Sequence, residues 1–425
     1  MTNNQELFHS LRKKYTHFHY LNFEFNVKDN CFFMQFFFQT NELVFAPKMT
    51  LNLGKYAQNL NISDLEGLIF NIGMIELVSY WKATCSPQIV IHNYVLDEKQ
   101  QNWWKKLYYK GLGEFFYQNE IECLFDDFVQ FSFADNANPY SDLHFKNIET
   151  SQKVIVPIGG GKDSVVTLEE LKTEKEVIPF IINPRGATLD CARVAGFNIK
   201  TTNLEPLFSK APLVADDIVI LERSIDENLL TCNKQGFLNG HTPFSAMLAF
   251  YTVLVSYGTN TREIALSNEA SANEATVLGT DVNHQYSKSL EFEKDFQHYV
   301  QHYMGDCAHY FSYLRNFSEL QIAEKFSKYP QYFSVFRSCN AGSKENKWCC
   351  NCPKCLFAYI ILAPFIEKNA LLQIFGEDLL NKPEMERFLN QLTGKEATKP
   401  FECVGTVEEV NAALKMLHSC YFPIL

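Results

Sequence analysis

Three glycines separate an apolar run from a helical pattern in PIGGGKDSVV, residues 157–166. Glycine lets the backbone approach a phosphate closely, and the N–H groups and dipole of a helix N-terminus attract negative charge. In this interpretation Lys162 supplies a positive charge, Asp163 holds Mg2+ through water molecules, and Ser164 caps the helix or binds phosphate. The spacing differs from that of the kinase-type P-loop and from that of the dinucleotide-binding fingerprint. The segment therefore predicts a nucleotide-binding loop of another kind, built on Gly159, Gly160 and Gly161.

Five of the 13 cysteines lie in SCNAGSKENKWCCNCPKC. Cys352 and Cys355 form a C-x-x-C knuckle, and Cys349 and Cys339 precede it at spacings that allow four thiolates to converge on one tetrahedral Zn2+. A site with four cysteine ligands leaves no coordination position for water, so this Zn2+ would be structural. Cys350 is then the spare thiol.

Strands and helices alternate through the middle of the chain. VIVPI before the glycines, VIPFII and EIALSN are predicted strands, while VVTLEELK, ATLDCARVAG and PFSAMLAFYTVLVSYG have helical spacing. Such alternation is typical of βαβ units. Residues 151–345 are therefore predicted to form a nucleotide-binding α/β domain, with a parallel sheet and helices on both faces.

The flanking regions differ from this pattern. Residues 1–150 combine runs of aromatic residues, such as HFHYLNFEFNV and CFFMQFFFQ, with helical patterns, and they predict an α+β N-terminal domain. One helix is predicted to break near Gly111 and Gly113. Residues 339–425 are predicted to form the cysteine knuckle and a helical C-terminal region.

Several residues follow the predicted strands or begin the long apolar helix. Ligands of open α/β sheets lie outside the carboxyl ends of the strands, so these residues are expected to face the nucleotide. Asn183 and Arg185, after VIPFII, are predicted to bind it. The other residues at such positions are Gly240, His241, Thr242, Ser267, Asn268 and Glu269.

The composition limits the classes of partner. Hydrophobic residues make up 46% of the 425 positions, which indicates a globular protein. The formal charge of −11 disfavours a nucleic-acid partner, because such binding depends on Lys and Arg at phosphates. The N-terminal sequence lacks a signal-peptide pattern, and the longest apolar stretches are shorter than a membrane helix requires. We therefore expect a cytoplasmic protein without a membrane partner; the oligomeric state is left open.

The glycine loop is similar to the S-G-G-x-D-S pyrophosphate loop (PP-loop) of the ATP pyrophosphatases, which cleave ATP between the α and β phosphates to adenylate a substrate. Gly159 replaces the first serine of that motif, which removes one hydroxyl donor to pyrophosphate. The strings GGGKDSVVTLE, IALSNEASANEATVLGTDVNHQYSKSLEFE, WCCNCPKCLFAYIILAPF and FECVG closely resemble the MurL family, UDP-N-acetylmuramoyl-L-alanyl-L-glutamate epimerases, over about residues 105–410.

The resemblance implies ATP- and Mg2+-dependent inversion of the terminal glutamate of UDP-MurNAc-L-Ala-L-Glu for peptidoglycan synthesis, with release of AMP and pyrophosphate. Adenylation would remove the charge of the carboxylate, so that loss of the α-proton leaves only one local charge for the site to stabilise. The candidate bases are His284, Lys288 and Glu274, because these residue types can be tuned towards neutral pH. The sequence does not choose among them. Cys191 and Cys232 are weaker candidates for a two-base arrangement.

Two other interpretations remain open at this level. The first is another adenylating PP-loop enzyme, similar to 7-cyano-7-deazaguanine synthase, which has a comparable order of cysteines, or to a tRNA-thiolating enzyme, which the charge of −11 disfavours. The second is an inactive nucleotide-binding regulator, against which Lys162, Asp163 and Ser164 argue. Release of AMP in the presence of the UDP-muramoyl dipeptide distinguishes these interpretations.

Overall fold

The structure is a computed structural model that describes residues 4–58, 65–140, 152–199 and 217–421, with side chains up to residue 417. The strands are β1 His17–Lys28, β2 Cys31–Thr40, β3 Leu43–Phe45, β4 Lys48–Asn52, β5 Gln88–Ile91, β6 Tyr94–Val95, β7 Gln130–Phe133, β8 Asn138–Pro139, β9 Lys153–Pro157, β10 Glu176–Ile182, β11 Val219–Ser224, β12 Glu263–Leu266 and β13 His309–Ser312. The helices are α1 Asn4–Lys14, α2 Leu65–Trp81, α3 Glu98–Gly111, α4 Gly113–Gln118, α5 Phe125–Phe128, α6 Lys162–Leu171, α7 Gly186–Val194, α8 Glu227–Lys234, α9 Phe244–Thr259, α10 Leu290–Tyr303, α11 Glu319–Ser327, α12 Pro353–Leu362, α13 Lys368–Phe375, α14 Glu386–Leu392 and α15 Val407–Tyr421.

One large sheet runs through the molecule in the order β13-β12-β9-β10-β11-β4-β2-β1-β5-β7, with β3 paired to β2. The five strands from β13 to β11 are parallel, as the alternation of strands and helices predicts. β11 then pairs antiparallel with β4. The α/β class is therefore confirmed, but the sheet is mixed and continues into the first 150 residues. The domain boundaries stay predictions.

Both faces of the parallel region are covered. Successive side chains of a strand point to opposite faces, and those of β9 enter different cores. Ile155 packs in a core with residues of α2, α9 and α10, whereas Val154 and Val156 pack with residues of α6, α11 and α12. This two-sided burial explains why VIVPI is an unbroken apolar run, and it agrees with the predicted helices on both faces.

The longest apolar segments form buried helices. α9 and α12 bury most of their side chains in the two cores. Among the described residues, no helix combines the length and apolarity needed to cross a membrane. The predicted helix break is also confirmed, because α3 ends at Gly111 and α4 begins at Gly113. A methyl group at Gly111 would lie 2.8 Å from Pro243, so glycine allows this corner to pack against the start of α9.

A buried ionic network ties the N-terminal helices to the parallel strands. Glu76 of α2 is fully buried and accepts two hydrogen bonds from Arg223 of β11, at 2.7 and 2.8 Å. The hydroxyl of Tyr251 in α9 also donates to Glu76. Burial would lower the pKa of Arg223, but the charge of Glu76 outweighs this and raises the pKa. Three elements therefore depend on one charge pair that is largely buried.

We expect Arg223→Met to lower the free energy of unfolding by about 3–5 kcal/mol, because Glu76 would be left buried without its cation. The double variant Glu76→Leu/Arg223→Met should lose less than the sum of the single variants. Urea denaturation measures these differences. The matched control is Arg262→Met at the more exposed pair with Asp306, with an expected loss under about 1 kcal/mol. Equal losses at the two sites would contradict a structural role for the buried pair.

Candidate active site

The strands that follow β9 in the chain are added to the sheet on both of its sides. β10 and β11 lie on one side, and β12 and β13 lie on the other, which makes β9 and β12 a topological switch point. Open α/β sheets bind ligands at the carboxyl ends of the strands at such a point. A cleft of about 500 Å³ lies there. Six of the predicted nucleotide-binding residues line it: Gly159, Gly161, Asp163, Ser164, Asn183 and Arg185.

The glycine loop has a backbone that other residues would not adopt. Gly160 has a φ of +81°, and a Cβ at this position would lie 2.9 Å from the backbone of Ala187. Both facts require glycine. Gly161 is the N-cap of α6, so the first N–H groups of this helix lie at the edge of the cleft. No atom would lie within 4 Å of a Cβ at Gly159, which leaves space beside the loop.

Lys162 lies beneath the loop rather than in the cleft. Its side chain is 7% exposed and pairs with Asp163 and, at 2.5 Å, with Glu319 of α11. Burial disfavours the ammonium, but these two carboxylates outweigh burial and raise its pKa. Lys162 therefore joins α6 to α11, and Asp163 presents the carboxylate of the loop to the cleft.

Asn183 and Arg185 turn the chain at the end of β10. Asn183 has a φ of +44°, and its side-chain oxygen accepts a hydrogen bond of 2.7 Å from the backbone N–H of Arg223. The guanidinium of Arg185 donates to the hydroxyl of Ser343 at 3.0 Å. Asn183 thus has a role in fixing the turn, while Arg185 brings a positive charge to the rim of the cleft.

The end of β12 carries polar atoms without partners. The hydroxyl of Ser267 and one carboxylate oxygen of Glu269 are buried, and neither makes a hydrogen bond within the described parts of the chain. Buried polar atoms normally have partners. Asn268, between them, donates to Ser312 at 3.0 Å. Ser267 lines the cleft, so its orphaned hydroxyl fits a polar ligand at the switch point.

Lys288 lines the same cleft as Asp163 of the glycine loop. Burial would lower its pKa, but the negative charges of Cys403, Glu269 and Asp163 outweigh this and raise it. The side chain is therefore an ammonium ion at neutral pH. This ammonium ion thus lines the cleft and also interacts with the thiol of Cys403.

A carboxylate and two imidazoles form a compact cluster next to Cys403. Glu114 is the second residue of α4, His241 lies before α9, and His284 lies in the loop between β12 and α10. One oxygen of Glu114 is hydrogen-bonded to Nδ1 of His284 and lies 3.1 Å from Nδ1 of His241. The two rings are 4.7 Å apart. Lys82 holds the backbone beside His241 through hydrogen bonds to Gly240 and Thr242.

The two histidines have opposite protonation states at neutral pH. Burial lowers the pKa of His241 to about 4, which leaves a neutral imidazole. Burial also acts on His284, but Cys403 and Glu114 outweigh it and raise the pKa to about 9. Neighbouring groups whose pKa values are driven apart are typical of acid–base sites. The cluster thus offers one neutral base and one cationic acid.

Four thiols converge at the start of α12. The sulfur–sulfur distances are 3.8 Å for Cys339 and Cys352, 3.7 Å for Cys349 and Cys355, and 3.5 Å for Cys352 and Cys355. A tetrahedron with Zn–S bonds of about 2.3 Å has edges of about 3.8 Å, so these thiols fit one Zn2+. Cys350 instead donates to the carbonyl of Phe375 at 3.0 Å. The structure therefore contains a four-cysteine cluster that could hold a metal ion.

Two models of known protein families match nearly the whole chain. The family model of the MurL N-terminal domain matches residues 9–313, and that of the MurL C-terminal domain matches residues 335–420. The chain belongs to the MurL family. No solved structure gave a significant match to it.

Three curated relatives of this MurL chain carry the same name, UDP-N-acetyl-alpha-D-muramoyl-L-alanyl-L-glutamate epimerase. The protein from a Micromonospora species is 32% identical over 347 residues, which is 80% of this chain and 72% of the relative. The protein from Salinispora tropica is 32% identical over 348 residues, 80% of this chain and 70% of the relative. The protein from Xanthomonas oryzae pv. oryzae is 31% identical over 386 residues, 89% of this chain and 79% of the relative.

The MurL fold separates the three predicted bases. His284 and Lys288 both interact electrostatically with Cys403, whereas Glu274 forms an ion pair with the buried Lys399. The two weaker candidates are buried thiols. Cys191 packs against the carbonyl of Gly160, and burial raises the pKa of Cys232. Their catalytic roles stay predictions, with His284 and Lys288 in the more suitable positions.

Glu114 and Cys403, beside the histidines of this MurL chain, were not predicted from the sequence. The same holds for Arg337 and Lys354 of the cleft lining. Glu114 directly follows the glycines at which the helix break was predicted, but its distance in sequence from the histidines gave no sign of contact. Cys403 lies in FECVG, a string that carries part of the family resemblance.

We expect the purified MurL protein to contain about one Zn2+ per chain without added metal, because four convergent thiolates bind Zn2+ tightly. Cys352→Ser should abolish the metal content, as measured by elemental mass spectrometry. Cys350→Ser is the matched control and should retain the metal. Folded wild-type protein with a metal content near zero would contradict the assignment.

Proposed function

We propose that this chain is an ATP- and Mg2+-dependent epimerase that inverts the terminal L-glutamate of UDP-MurNAc-L-Ala-L-Glu for peptidoglycan synthesis. The carboxyl group would be activated as an adenylate, with release of pyrophosphate, and AMP would leave later in the cycle. The observation that carries the proposal is a nucleotide-type cleft together with a pair of histidines, one neutral and one protonated, in a chain of the MurL family.

The cleft has the groups that a bound polyphosphate needs. The glycine loop and the N-terminus of α6 offer backbone N–H groups to the pyrophosphate end of ATP. Four cations line the cleft and would offset the phosphate charge: Arg185, Lys288, Arg337 and Lys354. The donor set for Mg2+ would be Asp163 together with the orphaned oxygen of Glu269, because carboxylates are preferred magnesium ligands. When bound, Mg2+ neutralises phosphate charge.

Adenylation and proton transfer are chemically linked. An α-proton next to a free carboxylate is hard to remove, since a second negative charge would develop beside the first. An adenylated carboxyl carries no such charge, so a modest base suffices. We assign this base to His241, whose Nδ1 faces Glu114 and whose Nε2 is then available to accept a proton. Lys288 or His284, both protonated, would return a proton to the opposite face.

We place the reaction in the cytoplasm, where the thiols of the cysteine cluster would stay reduced. The alternative is another adenylating PP-loop enzyme, and it makes a different prediction. It would form AMP without exchange of the α-proton of the glutamate. Activation of the carboxyl group and inversion of the α-carbon can therefore be tested separately.

We expect Asp163→Asn to lower AMP formation in the presence of UDP-MurNAc-L-Ala-L-Glu by about 100-fold or more, because a charge placed at the reacting phosphates commonly contributes several kcal/mol. Chromatographic assay of AMP measures the rate. Asp306→Asn, at an exposed salt bridge outside the cleft, is the isosteric control and should retain the wild-type rate. A wild-type rate for Asp163→Asn would remove the loop from the proposed mechanism.

Turnover in deuterated water should place one deuterium at the α-carbon of the terminal glutamate, since a base and an acid exchange the proton with solvent. We expect His241→Gln to lose most of this deuterium, and the D-glutamate found after hydrolysis, while it still forms AMP. His309→Gln, at a partly exposed pair with Glu263, is the control. Wild-type AMP formation without deuterium or D-glutamate would favour the other adenylating enzyme.

A further inference from the structure

One reactive thiol lies outside the cysteine cluster. Cys403 precedes α15 and is partly exposed. It interacts electrostatically with the imidazole of His284 and the ammonium of Lys288. Burial alone would raise its pKa, but the charges of Lys288, Lys354 and His284 outweigh burial and lower the pKa to about 6. In contrast, burial raises the pKa of Cys307 to about 12, as expected for a structural thiol.

Cys403, His284 and Glu114 follow one another as the nucleophile, base and acid of a catalytic triad do. The Nδ1 atom of His284 is hydrogen-bonded to Glu114, so Nε2 is the nitrogen available to the thiol. A nucleophile beside a histidine, with that histidine oriented by a carboxylate, is the arrangement that activates cysteine and serine in acyl transfer. Three distant segments of the chain supply these groups, and the fold brings them together.

The backbone around Cys403 is held on both sides. The carbonyl of Val404 accepts a hydrogen bond of 3.2 Å from the side chain of Gln285, next to His284. The backbone N–H of Lys399 donates to Thr276 at 2.9 Å. On the other side, Asn340 donates to the carboxylate of Glu402 at 2.8 Å. The thiol is therefore fixed between the histidine loop and the wall of the nucleotide cleft.

The surroundings of Cys403 also suit an adenylated substrate. Lys288 and Lys354 line the nucleotide cleft and both act on the thiol through their charge. A phosphate that departs from an acyl group beside Cys403 would thus meet cations.

We propose that Cys403 is a catalytic nucleophile that takes the acyl group from the adenylate and carries the terminal glutamate as a thioester during inversion. This inference rests on the proposed function and adds a step to it. Glu114 is a positioning residue, which acts through His284.

The step balances without a further reagent. The sulfur anion attacks the carbonyl carbon of the adenylate, a C–S bond forms, and the C–O bond to AMP breaks with its electron pair on AMP. The thioester keeps the α-proton acidic, because sulfur donates little electron density to the carbonyl, and it holds the glutamate in place as AMP leaves. After inversion, water attacks the carbonyl. The C–S bond breaks, the thiolate is restored, and the two protons of the water pass to solvent.

The central experiment uses the wild-type holoenzyme with ATP, Mg2+ and UDP-MurNAc-L-Ala-L-Glu. Acid quench during the first turnover, followed by intact-protein mass spectrometry, should reveal an adduct equal to the dipeptide substrate minus water. Hydroxylamine should remove it, and peptide mapping should place it on Cys403. Absence of the adduct, together with wild-type AMP release by Cys403→Ala, would overturn the proposal.

Variants separate this step from adenylation. Cys403→Ala should retain the substrate-dependent exchange of labelled pyrophosphate into ATP but lose AMP release by on the order of 10³-fold. Cys123→Ala, at a partly buried thiol elsewhere, should behave as wild type. If the wild type itself shows no pyrophosphate exchange, the proposed adenylation fails instead. If Cys403→Ala keeps AMP release and loses only α-deuterium, the sulfur is a base and the thioester is wrong.

The positioning role has a readout of its own. Glu114→Gln should slow alkylation of Cys403 by iodoacetamide several-fold at neutral pH, because a less strongly oriented His284 stabilises less thiolate. Alkylation of Cys123 in the same sample serves as the internal control. Unchanged alkylation of Cys403 in Glu114→Gln would refute the positioning role while leaving the adduct experiment intact.

Discussion

The antiparallel pairing of β4 with β11 is the constraint on which the rest of the structure depends. It joins the N-terminal strands to the parallel strands in one sheet, and the buried pair of Glu76 and Arg223 links α2 to the same junction. Because this joint fixes the N-terminal helices against α9, Glu114 of α4 reaches His241 and His284. A hinged pair of domains could not keep a carboxylate within hydrogen-bonding distance of two imidazoles.

Electrostatics then divides the site into parts with different tasks. The same carboxylate of Glu114 faces two histidines, yet burial leaves His241 neutral while the charges of Glu114 and Cys403 keep His284 protonated. On the nucleotide side, the charge of Lys162 is paired with Asp163 and Glu319, and other cations line the cleft. A lysine next to a glycine loop is therefore a structural element here, and its neighbour Asp163 faces the ligand space.

The cysteine cluster and the segment that contains Cys403 complete the cleft from the C-terminal part of the chain. A metal ion at the four-thiol cluster would fix the start of α12, next to Lys354, and Asn340 holds Glu402 beside Cys403. Metal binding at these cysteines would thus order one wall of the cleft rather than take part in chemistry. In that case four thiols would serve the structure, and a fifth, Cys403, would stay beside His284 and Lys288.

Local features were predictable from the sequence: the glycine loop between a strand and a helix, the parallel βαβ order, the buried helices, the break at Gly111 and Gly113, and the four convergent cysteines. These depend on spacing and on backbone preferences within a few residues. Other features required the tertiary structure. They are the mixed sheet, the ion pair of Lys162 with Glu319, the ion pair of Glu274 with Lys399, and the proximity of Glu114, His284 and Cys403. The physical reason is that pairing across the sheet and charge at a buried site depend on which distant segments share a low-dielectric space, and no local pattern records that.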